Sequence, residues 1–126
     1  MMKIAIIEDD AAIAQMYRMK FEAEGYEVNT ATTGRHGLEL ARDFKPDIML
    51  SDIMMPDMPG DEMLKSLRAQ PWGKNIKVII LSNRSEQEIA AATSGLNVSA
   101  IIVKANMPPR QVFELVKQKL DETGAN

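Results

Sequence analysis

Five short apolar segments recur along the chain, with longer segments between them. Four of the five are almost continuous in Ile, Val, Leu, Met or Ala, which is typical of strands covered on both faces. The segment at 27–31 alternates apolar and polar residues instead, so we expect it to lie near an edge of a sheet. The predicted strands are Lys3 to Ile7, Glu27 to Ala31, Asp47 to Ser51, Lys77 to Ser82 and Ser99 to Val103.

The intervening segments repeat apolar residues every three or four positions, which predicts amphipathic helices. Asp10 and Ser85 stand where helix N-caps are expected. Gly25 and Pro46 stand where helices end. The predicted helices lie between Asp10 and Gly25, from about Thr33 to Phe44, after Pro59-Gly60, from Ser85 to Gly95, and from Pro108-Pro109 onward.

Alternating strands and helices predict a doubly wound α/β fold. Strand-helix-strand units of this length connect through right-handed crossovers and build a parallel sheet with helices on both faces. The length of 126 residues is ordinary for one domain. We therefore expect a single domain over residues 1–126, with a core from about 3 to 120 and a frayed polar tail at 121–126.

Charge and composition narrow the function classes. The formal net charge is -3 and no tract is rich in Lys or Arg, so direct binding to nucleic acid is not expected. The chain has no cysteine, which removes disulfides and thiolate metal sites and suits a reducing compartment. Because the apolar segments are too short to span a bilayer and no signal-peptide pattern is present, we expect a cytoplasmic protein outside the membrane.

Residues that carry chemistry stand at the ends of predicted strands: Glu8-Asp9-Asp10, Asp52, Ser82 and Lys104. The carboxyl ends of parallel strands form one edge of a sheet, where ligands bind. Two carboxylates 4 Å apart repel by roughly 4 kcal/mol at an effective dielectric of about 20, so grouping them requires a cation. An all-oxygen set suits Mg²⁺, or Mn²⁺, with a phosphate oxygen as a further ligand.

Four segments resemble the signature segments of chemotaxis-type response-regulator receiver domains, which belong to two-component signalling systems. The segments are 4–10, 47–56 with the following Pro59-Gly60, 78–82 and 101–104. Their spacing matches as well, since Ser82 lies 30 residues and Lys104 lies 52 residues after Asp52. The resemblance covers about residues 3–120 and implies the flavodoxin-like receiver fold, with five parallel strands in the order 2-1-3-4-5 and five helices.

The resemblance also implies roles for the site residues. Asp52 would be the phosphorylated nucleophile, Lys104 would pair with the phosphoryl oxygens, and Ser82 would donate its hydroxyl and report the modification. The ligands of the Mg²⁺ or Mn²⁺ ion would be Asp9, Asp52, the backbone carbonyl of Met54 and, mainly through a metal-bound water, Glu8. The protein would thus catalyse its own phosphorylation and dephosphorylation, as a signalling switch more than as a turnover enzyme.

The phosphoryl donor implied by the resemblance is a sensor histidine kinase, a phosphotransfer protein or a small acyl phosphate. An effector protein would bind the face made by the fourth helix, fifth strand and fifth helix, and we expect a monomer or weak dimer. The switch would involve Ser82 and position 101, where Ile101 replaces the usual aromatic residue. Ala105 replaces the proline that usually follows the lysine, and Asn83 replaces a small residue. These departures affect the switching path more than the phosphoryl chemistry.

Other functions fit parts of the pattern. Phosphatases of the haloacid-dehalogenase type also use a strand-end Asp nucleophile, but they place a second Asp where this chain has Met54. Topoisomerase-primase metal domains need an Asp-x-Asp pair, which is absent for the same reason. A pseudo-receiver would keep the fold and act without phosphorylation. The complete set of site residues argues against it, whereas Ile101 and Ala105 leave it open.

Overall fold

A computed structural model describes residues 2–124 of the chain and contains one parallel sheet. Its strands are β1 (Lys3–Ile7), β2 (Glu27–Ala31), β3 (Ile48–Asp52), β4 (Lys77–Ser82) and β5 (Ala100–Val103). The order across the sheet is β2-β1-β3-β4-β5, which confirms the predicted fold and places the alternating strand β2 at an edge. Three bounds differ from the prediction by one residue, because β3 runs from Ile48 to Asp52 and β5 begins at Ala100.

Four helices connect the strands, and a fifth follows β5. They are α1 (Ala11–Ala23), α2 (Gly34–Phe44), α3 (Gly60–Arg68), α4 (Glu86–Ala92) and α5 (Pro109–Gly124), with short 3-10 turns at Pro71–Gly73 and Lys104–Asn106. The Asp10 carboxylate accepts hydrogen bonds from the backbone N–H groups of Ala12 and Ile13. The Ser85 hydroxyl accepts one from the N–H of Glu88. Both predicted N-caps are therefore confirmed, and each satisfies first-turn donors that the helix itself cannot.

Two helix ends differ from the sequence prediction. Helix α4 ends at Ala92, and the chain then turns at Gly95, whose φ of 78° is left-handed. Helix α5 continues to Gly124 and so includes most of the tail that was expected to fray; the last two residues lie outside the described part. Lys77 Nζ lies 3.9 Å from the Glu122 carboxylate, which links the last turns of α5 to β4. In the described part of the chain, no helix is long and apolar enough to cross a membrane.

The core has one layer on each face of the sheet. Successive residues of β1 show the division, because Ile4 and Ile6 pack in one layer and Ala5 and Ile7 in the other. Helices α1 and α5 cover the first layer, and α2, α3 and α4 cover the second. All four side chains are at most 1% exposed. Strand β1 is thus buried on both faces, as its continuous apolar pattern predicted.

The strand register brings the polar strand ends together at the carboxyl edge of the sheet. Asp52 ends β3 and pairs with Leu81 of β4, so the next residue of β4, Ser82, lies beside it. Glu8 follows β1 directly after its last pair with β3. Lys104 follows β5 in the same way. Four segments far apart in the sequence therefore deliver polar side chains to one place.

Candidate phospho-acceptor site

The carboxylate of Asp52 occupies the centre of the carboxyl edge. Only 7% of the residue is exposed, because strands lie on both sides of β3. Its Oδ1 accepts a hydrogen bond of 3.0 Å from the backbone N–H of Met54, two residues further along the chain. Its Oδ2 accepts one of 2.9 Å from Lys104 Nζ. Both oxygens are therefore fixed by donors, and the carboxylate has a defined orientation at the edge.

Lys104 links Asp52 to a second buried carboxylate. Its ammonium lies 2.6 Å from Oε1 of Glu8, a residue that is only 2% exposed. The other carboxylate oxygen of Glu8 accepts a hydrogen bond of 3.1 Å from the backbone N–H of Asp10. One ammonium thus serves two carboxylates, which leaves the group of Glu8, Asp52 and Lys104 with one excess negative charge when all three are ionised.

The pKa values of Glu8 and Lys104 reflect this arrangement. Burial raises the pKa of Glu8, and the hydrogen bond from Lys104 offsets only part of the effect. Burial alone would lower the pKa of Lys104, but the hydrogen bonds and charges of Glu8 and Asp52 outweigh it and raise that pKa. Lys104 therefore stays protonated at neutral pH. For Glu8, the interaction with Lys104 does not fully offset the cost of burying the ionised carboxylate.

Asp9 completes an acidic group at the same edge. One carboxylate oxygen each from Glu8, Asp9 and Asp52 lie within 4.8 Å of one another, and Asp9 is exposed whereas the other two are buried. These hard oxygen donors, without histidine or cysteine, suit Mg²⁺ or Mn²⁺, which keep several waters and bind through one or two carboxylates. The residues present therefore fit a hydrated divalent ion on the open, Asp9 side.

Ser82 is fully buried at the end of β4. Its hydroxyl oxygen accepts a hydrogen bond of 3.2 Å from the backbone N–H of Arg84. A hydroxyl that accepts through its lone pair retains its proton for donation. Ser82 is thus held by its own loop, beside the strand that carries Asp52, with a donor group available at the edge.

A family profile described as "Response regulator receiver domain" matches residues 4–117. The chain belongs to the response-regulator receiver domain family. This agrees with the geometry of the site, since the profile spans all the strands that carry Glu8, Asp52, Ser82 and Lys104. The chain is therefore a receiver domain of the kind found in two-component response regulators.

Two curated relatives of this receiver domain are much longer proteins. The cell cycle transcriptional regulator CtrA of Caulobacter vibrioides is 35% identical over 92 residues, which cover 73% of this chain and 39% of CtrA. The phosphate regulon transcriptional regulatory protein PhoB of Rhizobium meliloti is 34% identical over 85 residues, which cover 68% of this chain and 37% of PhoB. The receiver domain therefore aligns with less than two fifths of either relative.

Solved receiver structures match almost the whole chain. A CheY-like response regulator receiver domain protein from Methanospirillum hungatei has a TM-score of 0.89 at 31% identity, with 99% of this chain and 98% of that chain covered. The chemotaxis response regulator CheY4 of Vibrio cholerae has a TM-score of 0.85 at 28% identity, with 94% and 98% covered. The fold of this receiver domain is thus shared along nearly its full length.

Two further predicted site residues occupy less central places in the receiver domain. Met54 donates its N–H to Asp52, and its side chain is 52% exposed; metal binding by its carbonyl stays a prediction. Ile101 is half-buried in β5 and packs against the core layer under α2, α3 and α4. Its aliphatic side chain has neither ring nor hydroxyl, so the switch through an aromatic residue at this position is not available. The described residues contain no cis peptide bond.

Two residues near the site went unnoticed in the sequence. Arg84 fixes the Ser82 hydroxyl and, with Met54, Met55, Asp61 and others, lines a cavity of about 350 Å³ beside the β3–α3 loop. The second is Asp57, in the β3–α3 loop itself, whose carboxylate contacts the start of α2. A sequence signal existed for Asp57 alone, since an Asp in a Pro-rich turn commonly accepts backbone hydrogen bonds.

Proposed function

We propose that this receiver domain is a phospho-acceptor switch whose modified residue is Asp52. The observation that supports this most directly is the buried Asp52 carboxylate, hydrogen-bonded by Lys104 at 2.9 Å and grouped with the acidic side chains of Glu8 and Asp9. A fold gains no stability by grouping carboxylates unless cations offset their repulsion, and the single ammonium of Lys104 leaves negative charge for a metal ion to offset. The phosphoryl donor is a histidine kinase, a phosphotransfer protein or a small acyl phosphate.

The transfer forms one bond and breaks one bond. An Asp52 oxygen attacks phosphorus, the bond from phosphorus to the imidazole nitrogen of the donor phosphohistidine breaks, and that nitrogen keeps the electron pair. Asp9, Asp52, the carbonyl of Met54 and a Glu8-bound water would hold Mg²⁺ or Mn²⁺, which supplies charge neutralisation at the phosphoryl oxygens. The residues of the chain therefore contribute mainly position and charge.

Lys104 and Ser82 act on the transferred phosphoryl group. The Lys104 ammonium already lies on Asp52 Oδ2, so it needs only a short movement to pair with a phosphoryl oxygen. Ser82 turns its hydroxyl proton toward another oxygen, and it gives up the present bond from the Arg84 N–H when it moves. The added charge of about -1.5 to -2 thereby changes the loops after β4 and β5.

The changed loops alter the surface made by α4, β5 and α5, which binds the effector. Because Ile101 cannot act as an aromatic switch, the signal passes chiefly through Ser82 and the β4–α4 loop, which contains Arg84. The relatives CtrA and PhoB are named as transcriptional regulators. With a net charge of -3, this chain would serve such regulation through protein contacts, and any nucleic-acid binding would belong to another part or partner.

The proposal predicts stoichiometric labelling of a single residue. Incubation with acetyl phosphate and Mg²⁺ should add the mass of one phosphoryl group, and Asp52→Asn, which keeps the shape of the side chain, should abolish the gain. Asp47→Asn serves as a matched control, since Asp47 immediately precedes β3, far from the site, and accepts a hydrogen bond from the Lys3 N–H. Intact-mass spectrometry measures both.

Two other outcomes would identify the alternatives. If acetyl phosphate gives no mass gain and beryllofluoride with Mg²⁺ gives no spectral change, the domain is a pseudo-receiver that binds without phosphorylation. Sustained phosphate release from monoesters, with many turnovers per protein, would point to a phosphatase instead.

A further inference from the structure

The β3–α3 loop is fastened to the sheet at its base. The backbone N–H of Gly60 donates to the carbonyl of Ile53 at 2.7 Å, which closes the loop from 53 to 60. A Cβ atom on Gly60 would lie 2.5 Å from the Ile53 Cα, so only glycine permits this approach. Met54 stands at the start of this closed loop and donates its N–H to Asp52. The geometry around Asp52 therefore depends on the shape of the whole loop.

Asp57 fastens the far side of the same loop to α2. Its Oδ1 accepts from the N–H of Gly34 at 2.8 Å, and its Oδ2 accepts from the N–H of Arg35 at 3.1 Å. These are the first two residues of α2, whose donors have no partner within the helix. Thr33, the residue before the helix, caps only the N–H of His36. The start of α2 is thus capped partly by its own sequence and partly by a loop more than twenty residues away.

Charge and packing strengthen this connection. A carboxylate at a helix N-terminus faces the positive end of the helix dipole. The hydrogen bonds from Arg35 and Gly34 lower the pKa of Asp57, so it is ionised at neutral pH. Next to it, Met58 packs directly on Gly34, where an added Cβ would lie 3.1 Å from the Met58 Cβ. The loop is therefore attached at two places, at Gly60 and on α2. Met54 lies in the loop between Asp52 of the sheet and the attachment on α2.

We infer that Asp57 is a positioning residue for the phospho-acceptor site, because it ties the loop that carries Met54 to the start of α2. Loss of the two Asp57 hydrogen bonds leaves the far side of the loop with only apolar packing, such as that of Met58 on Gly34, to hold it. The Met54 N–H then loses its fixed position on Asp52 Oδ1, and the backbone carbonyl of Met54 is displaced with it. The first consequence concerns the protein alone; the second rests on the proposed function, in which that carbonyl is a metal ligand.

The structure offers a matched pair of variants for a test. Asp57→Ala removes the two hydrogen bonds that join the loop to α2. Thr33→Val removes a cap of the same helix from within, through His36, without touching the loop. The Mg²⁺ dissociation constant from isothermal titration calorimetry should rise about tenfold for Asp57→Ala, as for other supports of metal ligands, and stay within about twofold for Thr33→Val.

A second readout needs no metal. In metal-free protein, hydrogen exchange of the Met54 amide measured by NMR should accelerate by about tenfold or more in Asp57→Ala and not in Thr33→Val. Gly34→Ala, which crowds Met58 and displaces the loop by another route, should act in the same direction as Asp57→Ala. This variant also decides the question should Asp57→Ala fail to fold.

The possible outcomes separate the two proposals. Equal changes in Asp57→Ala and Thr33→Val, in both readouts, would show that Asp57 merely caps α2 and overturn the inference. If the wild-type domain binds no Mg²⁺, the proposed function fails, yet a selective change in Met54 exchange would still support positioning. Unchanged Met54 exchange in both Asp57→Ala and Gly34→Ala overturns it whatever the metal affinity.

Discussion

Two cationic side chains lie at opposite ends of the strands, the carboxyl edge and the amino edge of the sheet, and they bind different kinds of partner. At the carboxyl edge, Lys104 donates to the carboxylates of Glu8 and Asp52. At the amino edge, Arg68 at the end of α3 donates to five backbone carbonyl oxygens at 2.7 to 3.2 Å. These carbonyls belong to Gly73, Lys74, Ile76, Leu96 and Asn97. Arg68 thus joins α3 to the segments that lead into β4 and β5.

Because the partners differ, we call the amino edge, held by Arg68, the fixed edge, and the carboxyl edge, held by Lys104, the changeable edge. Burial lowers the pKa of Arg68, because carbonyl dipoles provide no net negative charge. Lys104 is also buried, yet its two carboxylate partners raise its pKa overall. Carbonyls neither gain nor lose protons near neutral pH, so the Arg68 contacts do not depend on the protonation of their acceptors. Under the proposed function, the acidic group binds a metal ion and Asp52 becomes an acyl phosphate, so the partners of the Lys104 ammonium change, which is what a switch requires.

Loss of the fixed edge should have the largest effect on stability. Arg68→Ala removes a planar donor that serves five carbonyls and leaves part-buried acceptors without it. We expect the free energy of unfolding to fall by about 3 to 4 kcal/mol, since bonds from a charged donor contribute roughly 1.5 to 3 kcal/mol each and do not add fully. Urea denaturation followed by circular dichroism measures this. Phosphorylation of the folded variant should persist.

Two comparison variants check the cause of that loss. Arg68→Lys keeps the charge, but a compact ammonium cannot reach carbonyls spread around a planar guanidinium, so most of the loss should remain. Arg42→Ala removes an exposed arginine that pairs with the neighbouring Asp43, and its stability should be unchanged within error. A full rescue by lysine would show that charge, not the fork of donors, holds the amino edge.

Loss of the cation at the changeable edge should cost less and should be reversible. Lys104→Met leaves the buried carboxylates of Glu8 and Asp52 without their shared ammonium. We expect stability without metal to fall by roughly 2 to 3 kcal/mol, less than the 3 to 5 kcal/mol of a fully buried pair because the Asp9 side is open. Addition of about 10 mM Mg²⁺ should restore most of it through binding to the native state.

The same titration distinguishes a site effect from a general salt effect. Lys117→Met, on the exposed face of α5, should respond to Mg²⁺ as the wild type does. Calcium or sodium at equal ionic strength should restore less of the Lys104→Met stability than Mg²⁺, since Mg²⁺ suits a site of few carboxylates with several waters. Equal recovery with every salt would mean that screening, not binding, stabilises the variant.

The two edges also differ in how far the sequence predicts them. Asp52 and Ser82 end strands of a parallel sheet and Lys104 follows one, and the sheet itself brings such residues to one edge. The grouping was therefore readable from strand ends alone. The partners of Arg68 are backbone carbonyls, which every residue has, so no pattern of side chains in the sequence predicts them. Its position at the end of an amphipathic helix indicates only a favourable charge for the helix dipole.

Within the site, contacts that depend on the shape of loops could not be predicted from the sequence either, because no pattern of residues specifies them. That Lys104 would bridge Glu8 as well as Asp52 depends on distances of a few ångströms among three segments. The attachment of Asp57 to Gly34 likewise depends on how the β3–α3 loop folds over α2. Periodicity fixes which face of an element is buried, whereas loop geometry follows from packing after the elements meet.

The smallest expected effect concerns the pH dependence of Glu8. A carboxyl group whose folded pKa is raised binds more protons in the native than in the unfolded state at intermediate pH. Its stabilising contribution is thus complete below the ordinary value of 4.5 and is lost as pH rises through the raised pKa. Lys104, with a raised pKa, contributes fully below its ordinary value of 10.5 and loses that contribution only at higher pH. At pH values above the raised pKa of Glu8 and below 10.5, ionised Glu8 lowers the free energy of unfolding, whereas Lys104 still contributes fully to it.

Glu8→Gln should therefore stabilise the metal-free protein at neutral pH, because the amide oxygen still accepts from Lys104 while the cost of burying a charge disappears. The gain should be modest, because the amide NH2 replaces the oxygen that accepts from the Asp10 N–H. The gain should shrink toward zero below pH 4.5, where the wild-type carboxyl is protonated in both states. Urea midpoints of both proteins at several pH values measure the difference, with the exposed Glu114→Gln as control. A gain that is constant with pH would exclude charge burial as its cause, and a loss at neutral pH would show that the Lys104 bond outweighs burial.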